Sequence, residues 1–255
     1  MSNLTIYQPQ GKAGEYASWA CNLYTGCSNS CSYCYCRTGH LGKLWTPYPQ
    51  LKKCFKNEEH AYTVFLRELK QNKDSLQRDG LFFSFTTDPM LPQSRKLTWN
   101  CILAAVNNGI PVSVLTKRAD FIEDIHIDKW IRHDNLAWGF TLTGMDHEEP
   151  MASTNAERID AMRQLHTMGF KTFASLEPVI DPSRTIGIYA LLQEHGCCDL
   201  VKVGLQSGRK DPYPDGSIRK MYRIIKDGPI PSYMKHSMTD RLGLPQETPN
   251  SVFAL

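Results

Sequence analysis

Cys27, Cys31 and Cys34 stand in the run Gly26-Cys-Ser-Asn-Ser-Cys-Ser-Tyr-Cys-Tyr35, a C-x3-C-x2-C spacing with a tyrosine on either side of the third cysteine. Three thiolates this close can ligate three irons of a [4Fe–4S] cube, because such clusters are built on cysteine sulfur. The fourth iron is then left without a protein ligand, and that open position makes a bound cluster a place for chemistry. Cys36 leaves a second metal chemistry open, since Cys27, Cys31, Cys34 and Cys36 could close a four-thiolate zinc site. Structural zinc sites usually pair two C-x2–4-C knuckles across a longer loop, so this spacing is cramped for zinc. A disulfide framework is the weakest reading, because nine cysteines is an odd count in a chain expected to carry no secretory leader.

The elements that must position these thiols alternate strand and helix. A short strand near 18–23 leads into the cysteine loop. Residues 59–70 place Ala61, Val64, Phe65 and Leu69 on one helical face. Gly80-Leu-Phe-Phe-Ser-Phe is a strand, 97–108 a helix stopped by Gly109 and Pro111, and 111–117 a strand. Residues 121–132 read as a helix and 136–142 as a strand. Thr154-Asn-Ala-Glu157 fits a capping box opening a helix that Gly169 closes. A strand at 171–176, a helix at 183–194 closed by Gly196, and a strand at 199–205 complete about six β-α units. Strands alternating with helices imply a parallel sheet, curled here into an open barrel.

At 255 residues and 41% hydrophobic content the chain can bury one α/β core. It reads as a single domain over 1–255, with a core from about 15 to 208 and residues 209–255 as a C-terminal tail covering the barrel. No run approaches the roughly eighteen apolar residues that cross a bilayer, so the expectation is a soluble, cytoplasmic protein without a membrane partner. A net charge of +3 permits a nucleic-acid partner without demanding one.

Ligands of such sheets bind at the carboxyl ends of the strands, which nominates further residues. The second strand ends in Ser84-Phe-Thr-Thr-Asp88, whose hydroxyls and carboxylate suit an ammonium group, although Asp88-Pro89 is also a turn cue. The third ends in Thr116-Lys117, the fourth in Phe140-Thr141, and the fifth in Glu177-Pro178. A carboxylate in a buried-leaning strand seldom serves stability, so Glu177 reads as a ligand contact, against the alternative of an ion pair. At the sixth, Gln206-Ser-Gly-Arg209-Lys210 could take an anion or be a solvated turn. Lys43, Trp45 and Tyr48 mix aromatic and basic groups beside the cysteine loop, as a nucleotide platform or a Pro-rich lid would. Asp146, His147, Glu148 and Glu149 could place an acid–base group at the barrel mouth, or be simply solvated.

In this order, the cysteine motif, Thr86-Thr-Asp-Pro89, Thr116-Lys117, Phe140-Thr141 and Glu177-Pro178 resemble the radical S-adenosylmethionine (SAM) superfamily, in its spore-photolyase-like branch. The resemblance spans roughly residues 22–205. It implies a partial (β/α)6 barrel with the [4Fe–4S] loop after the first strand. It also implies SAM chelated to the open iron and cleaved reductively to a 5′-deoxyadenosyl radical that abstracts hydrogen from a substrate. By the same resemblance Cys27, Cys31 and Cys34 are the metal ligands, Tyr33 the adenine contact, and Tyr35 a border of that pocket. Ser84, Thr86 and Asp88 fall at the SAM amino group, Lys117 at its carboxylate, Thr141 at its ribose or carboxylate, and Glu177 at SAM or substrate. A flavodoxin- or ferredoxin-type reductase is the implied electron donor, and nucleic acid or a nucleotide-like molecule the implied substrate. A small metabolite or peptide is the alternative substrate, and a zinc-stabilised nucleic-acid-binding module the alternative function. One position departs from the branch. Phe85 stands where its hydrogen-donor cysteine would be, and Cys36, Cys54 and Cys101 are the candidate substitutes.

Overall fold

The computed structural model describes residues 5–38, 42–43, 45–124, 133–206 and 212–254. Its main sheet runs through β2 (Ala20–Cys21), β5 (Leu81–Phe83), β6 (Val112–Thr116), β7 (Leu136–Thr141), β8 (Lys171–Val179) and β9 (Leu200–Leu205), each parallel to the next. β1 (Ile6–Tyr7) pairs antiparallel with β2 at one edge. A separate two-stranded ribbon of β3 (Tyr24–Thr25) and β4 (Gln50–Leu51) lies across the base of the cysteine loop. This is the open α/β barrel expected from the sequence, with one addition. The segment beyond 211, expected as a tail over the barrel, supplies α7 (Asp215–Lys226), β10 (Ser232–Met234) and α8 (His236–Leu242), and β10 pairs in parallel with β9.

Outer helices follow the apolar periodicity. In α1 (Glu58–Gln71), Asn57 caps the start by accepting from His60 N–H at 2.8 Å, and Ala61, Val64, Phe65 and Leu69 are buried. Buried Glu68 on the same face accepts the N–H groups of Thr5 and Ile6, each at 2.9 Å, so it ties β1 to the helix layer. α2 (Lys73–Asp79), α3 (Arg95–Asn107) and α4 (Phe121–Asp124) follow, with the remainder of the expected 121–132 helix outside the described residues. α5 (Asn155–Thr167) opens on the expected capping box of Thr154 and Glu157. α6 (Pro182–His195) is capped by Asp181 and ends at the left-handed Gly196.

Alternate residues of the strands feed two cores. One face, including Val112, Val114, Trp138, Phe140, Val201 and Val203, packs under the helices. The other fills the lumen with Ala20, Phe82, Ala137, Phe173 and Leu200, joined by Tyr16, Phe85 and Leu115. Val252, in a 3-10 turn at Val252–Ala254, closes the lumen from the chain's far end. Gly139 is required here, since a Cβ would lie 2.1 Å from the Phe173 ring.

Candidate active site at the barrel mouth

The three cysteines sit on the loop between β3 and β4, at the carboxyl edge of the parallel strands. The ribbon brings Thr46 and Tyr48 so close to Gly26 that a Cβ would fall 2.2 Å from Thr46 Oγ1, and Gly26 adopts φ +84°. Cys27 N–H donates to Thr46 O at 3.1 Å. All three thiols are free of disulfides. Cys34 is held down to about 6, first by a hydrogen bond from Cys36, whose own thiol is pushed up in return. Burial, then the nearby Asp88 carboxylate, push Cys27 up to about 12.

The expected strand-end residues divide into scaffold and open groups. Asp88 is scaffold. Its carboxylate accepts from Asn29 Nδ2 (2.8 Å), Met90 N–H (3.0 Å), Thr116 Oγ1 (2.6 Å) and Lys117 N–H (2.8 Å). Those four donors occupy the lone-pair sites that an ammonium ligand would need, so Asp88 ties the cysteine loop to two strand ends. Ser84 Oγ and Thr86 Oγ1 are also engaged, donating to Thr87 O at 2.8 Å and Tyr24 O at 2.6 Å. The β5 end leaves a different hydroxyl unsatisfied, because Thr87 Oγ1 is buried and has no partner among the described residues.

Lys117 Nζ lies 5.7 Å from the Tyr33 ring centroid and makes no hydrogen bond within the described residues. Burial works against its charge, but Cys31, Glu149 and Asp88 around it hold its pKa above the usual lysine value. Tyr33 donates its hydroxyl to Glu149. Tyr35 is 49% exposed and donates to Phe85 O at 2.5 Å. Thr141 is buried, with its carbonyl taken by Arg158. Glu177 is paired already, since Lys235 Nζ donates to both its oxygens (3.0 and 2.9 Å) and Tyr16 Oη donates at 2.7 Å. That is the ion-pair alternative for this residue.

Several residues that assemble the site do so in ways the sequence does not announce. Glu149, expected as a solvated or acid–base residue, is buried in an ion pair with the equally buried Arg158 and also accepts from Thr143 at 3.2 Å. Through Glu149 this pair fixes Tyr33, and Glu148 O receives Ser32 N–H at 2.9 Å. Tyr16 crosses the lumen to reach Ser175 Oγ (2.6 Å) and Glu177. Tyr33 stands 116 residues from Glu149, and Tyr16 stands 159 and 161 residues from Ser175 and Glu177, so no local pattern joins them. Arg209 and Lys210 lie outside the described residues.

Phe85 stacks on Phe82 at 4.6 Å and edges Tyr16 at 6.2 Å, with its side chain in the lumen. Of the candidate substitute thiols, Cys101 and Cys54 belong to the core under the helices. Cys36 Sγ lies 3.4 Å from Phe85 O, so it is the one of these three that adjoins this position.

The donor set suits an iron–sulfur cube, whose cysteine ligands are spread over separate irons. Among the described residues no three or more His, Cys, Asp or Glu side chains are gathered to hold a single ion. No described helix is long and apolar enough to cross a membrane.

No protein-family model matches the sequence. An uncharacterized protein of Methanocaldococcus jannaschii is 27% identical over 175 residues, covering 64% of this chain and 61% of that protein. The chain thus spans about three-fifths of that relative's length. Among solved structures, spore photoproduct lyase complexed with dinucleoside spore photoproduct superposes with a TM-score of 0.64 at 17% identity, over 91% of this chain and 78% of that one. A variant of the lyase with bound AdoMet and the same dinucleoside gives 0.58 at 17% identity, over 83% and 60%. SuiB of Streptococcus suis bound to S-adenosylmethionine gives 0.55 at 13% identity, over 89% and 54%, and SuiB bound to the precursor peptide SuiA gives 0.55 at 12%, over 87% and 51%. With its parallel open sheet and the cysteine loop at the carboxyl edge, the chain has the radical SAM barrel fold in its spore-photolyase-like form.

Proposed function

We propose that the protein is a radical SAM enzyme that holds a [4Fe–4S] cluster on Cys27, Cys31 and Cys34 and cleaves SAM reductively. The observation that carries this reading is the placement of three disulfide-free thiols on a braced loop at the carboxyl edge of the strands, with the Lys117 ammonium beside Cys31. When bound, the cluster supplies the electron that breaks a carbon–sulfur bond of SAM and yields the 5′-deoxyadenosyl radical. The chain's own residues would do the rest by binding and orientation. Lys117 offers unfilled donors and positive charge to the SAM carboxylate. Thr87, whose buried hydroxyl has no partner among the described residues, would replace Asp88 as the acceptor for the SAM amino group at the β5 end. Tyr33, fixed through its hydroxyl by Glu149, presents a ring face to the adenine. Thr141, at the end of β7, would serve the ribose or carboxylate. Glu177, held by Lys235 and Tyr16, would shape the pocket through that fixed position.

For the substrate, nucleic acid or a nucleotide-like molecule is the reading we favour. Beside the cysteine loop Arg37 lies 4.5 Å over the Trp45 ring, with Tyr35 and Tyr48 about half exposed (49% and 55%). Stacking faces with adjacent cations suit bases and phosphates. The peptide-bound SuiB keeps a peptide substrate as the second reading. A reductase of the flavodoxin or ferredoxin type would supply the electron.

Anaerobic reconstitution tests the cluster. Wild type and Cys36→Ala should each bind about four irons per chain, while Cys27→Ala, Cys31→Ala and Cys34→Ala should not. One zinc per chain, lost in Cys36→Ala, would contradict it.

A further inference from the structure

We propose that the lumen holds a second site, a pocket for one compact anion, in which Lys202 is the counter-ion and Ser113 and Ser251 offer hydroxyl donors. The pocket is a cavity of about 20 Å³ among Tyr16, Phe82, Ser113, Phe173, Leu200, Lys202, Ser251 and Val252. That is room for one or two water-sized groups. It is distinct from the cysteine loop: none of these residues belongs to the loop or to the strand-end segments that brace it.

At this point of the lumen one buried ammonium lacks a direct counter-ion. Lys202 is 5% exposed, yet among the described residues it has no carboxylate partner. Its one hydrogen bond among the described residues, to Tyr16 O, is long at 3.4 Å. An ammonium has three donors, and burial without compensation is costly. The nearby carboxylates are committed elsewhere. Glu177 is bridged by Lys235 and Tyr16, and Glu15 receives Tyr233 Oη at 3.1 Å and His236 N–H at 2.8 Å. Lys235 brings a second cation to the Tyr16 ring, 4.4 Å from its centroid against 5.2 Å for Lys202. Burial first, and Lys235 next, draw the Lys202 pKa down to about 8, so the ammonium still predominates at pH 7. A compact anion would give Lys202 a direct counter-ion and fill the donors that the long bond to Tyr16 O leaves free. Its chemistry is a single small negative group, either a halide ion or the carboxylate of a very small acid. The site would also fasten Tyr16, whose hydroxyl reaches Ser175 and Glu177 under the mouth.

The test is titration of the full chain with chloride, formate or phosphate at constant ionic strength, with gluconate as the balancing anion. Chloride and formate should raise Tm by about 2–4 °C at saturation in wild type. Lys202→Met should show no such rise, and phosphate, too large for the cavity, should act like gluconate. Chloride-35 resonance broadening gives a second readout on wild type alone, which decides the matter if Lys202→Met does not fold. Excess broadening that formate removes supports the site. Absence of excess broadening, or an equal Tm response in Lys202→Met, overturns it. Chloride acting without formate assigns a halide site, and formate displacing chloride assigns a carboxylate-accepting one.

Discussion

Asp88 shows how a charged side chain at a cofactor-binding edge can serve the scaffold. It looks like a ligand for an ammonium group, but four protein donors on the cysteine loop, the β5 end and the β6 end already fill it. Asp88→Asn places an amide donor against donors and removes the charge that strengthens them. It should cost roughly 3 kcal/mol in urea unfolding and lower iron uptake by loosening Asn29. A wild-type urea midpoint would show that the carboxylate is not holding the loop. Lys202 makes a pH prediction at the same scale. Its folded pKa of about 8 lies below the ordinary value of 10.5. Below pH 8 both states are protonated and the cost of burying the charge is present in full. Between pH 8 and 10.5 the unfolded chain keeps the proton that the folded one has lost, so stability rises with pH. The groups facing Lys202 are Lys235, Glu177 and Glu15, so the comparison is made with Lys202→Met, which leaves them in place. Wild type should gain roughly 3 kcal/mol on the variant across this window. A flat difference in stability would contradict the shift.

At the scale of elements, the lumen face of the strands sets the limits. Gly139 on β7 exists for the Phe173 ring of β8, with which an added Cβ would overlap at 2.1 Å. Both residues are deeply packed, so Gly139→Ala should destabilise by about 1–3 kcal/mol, and Phe173→Leu should recover part of that loss. Additive losses measured by chemical denaturation would mean that the two do not share the space. The helices were plain in the sequence. Ala61, Val64, Phe65 and Leu69 announce α1, and Thr154 with Glu157 announces α5 by its capping box. β10 was not readable, since Ser232–Met234 is too short to show alternation and gains its meaning only from pairing with β9. The functions of Glu149, Arg158 and Tyr16 were hidden for a related reason. Each depends on a partner brought in by the fold, as Tyr33 is to Glu149 and Glu177 to Tyr16, and no local spacing records it.

The whole molecule joins a loop legible in sequence to a barrel legible in its alternation of strands and helices. Cys27, Cys31 and Cys34 stand where ligands of such sheets bind, and Lys117 points its charge at the same place. Glu177 did not stay free, because β10 and the residue after it bring Lys235 against it. Phe85 fills the lumen where a thiol was sought, and Cys36 meets its carbonyl instead. The central claim is that this loop makes the barrel a SAM-cleaving enzyme. The most direct test is 5′-deoxyadenosine release from SAM by anaerobically reconstituted protein after dithionite reduction. The account predicts release by wild type and by Cys36→Ala, and none by Cys27→Ala, Cys31→Ala or Cys34→Ala. A wild-type protein with a full complement of iron that binds SAM and releases no 5′-deoxyadenosine would contradict it.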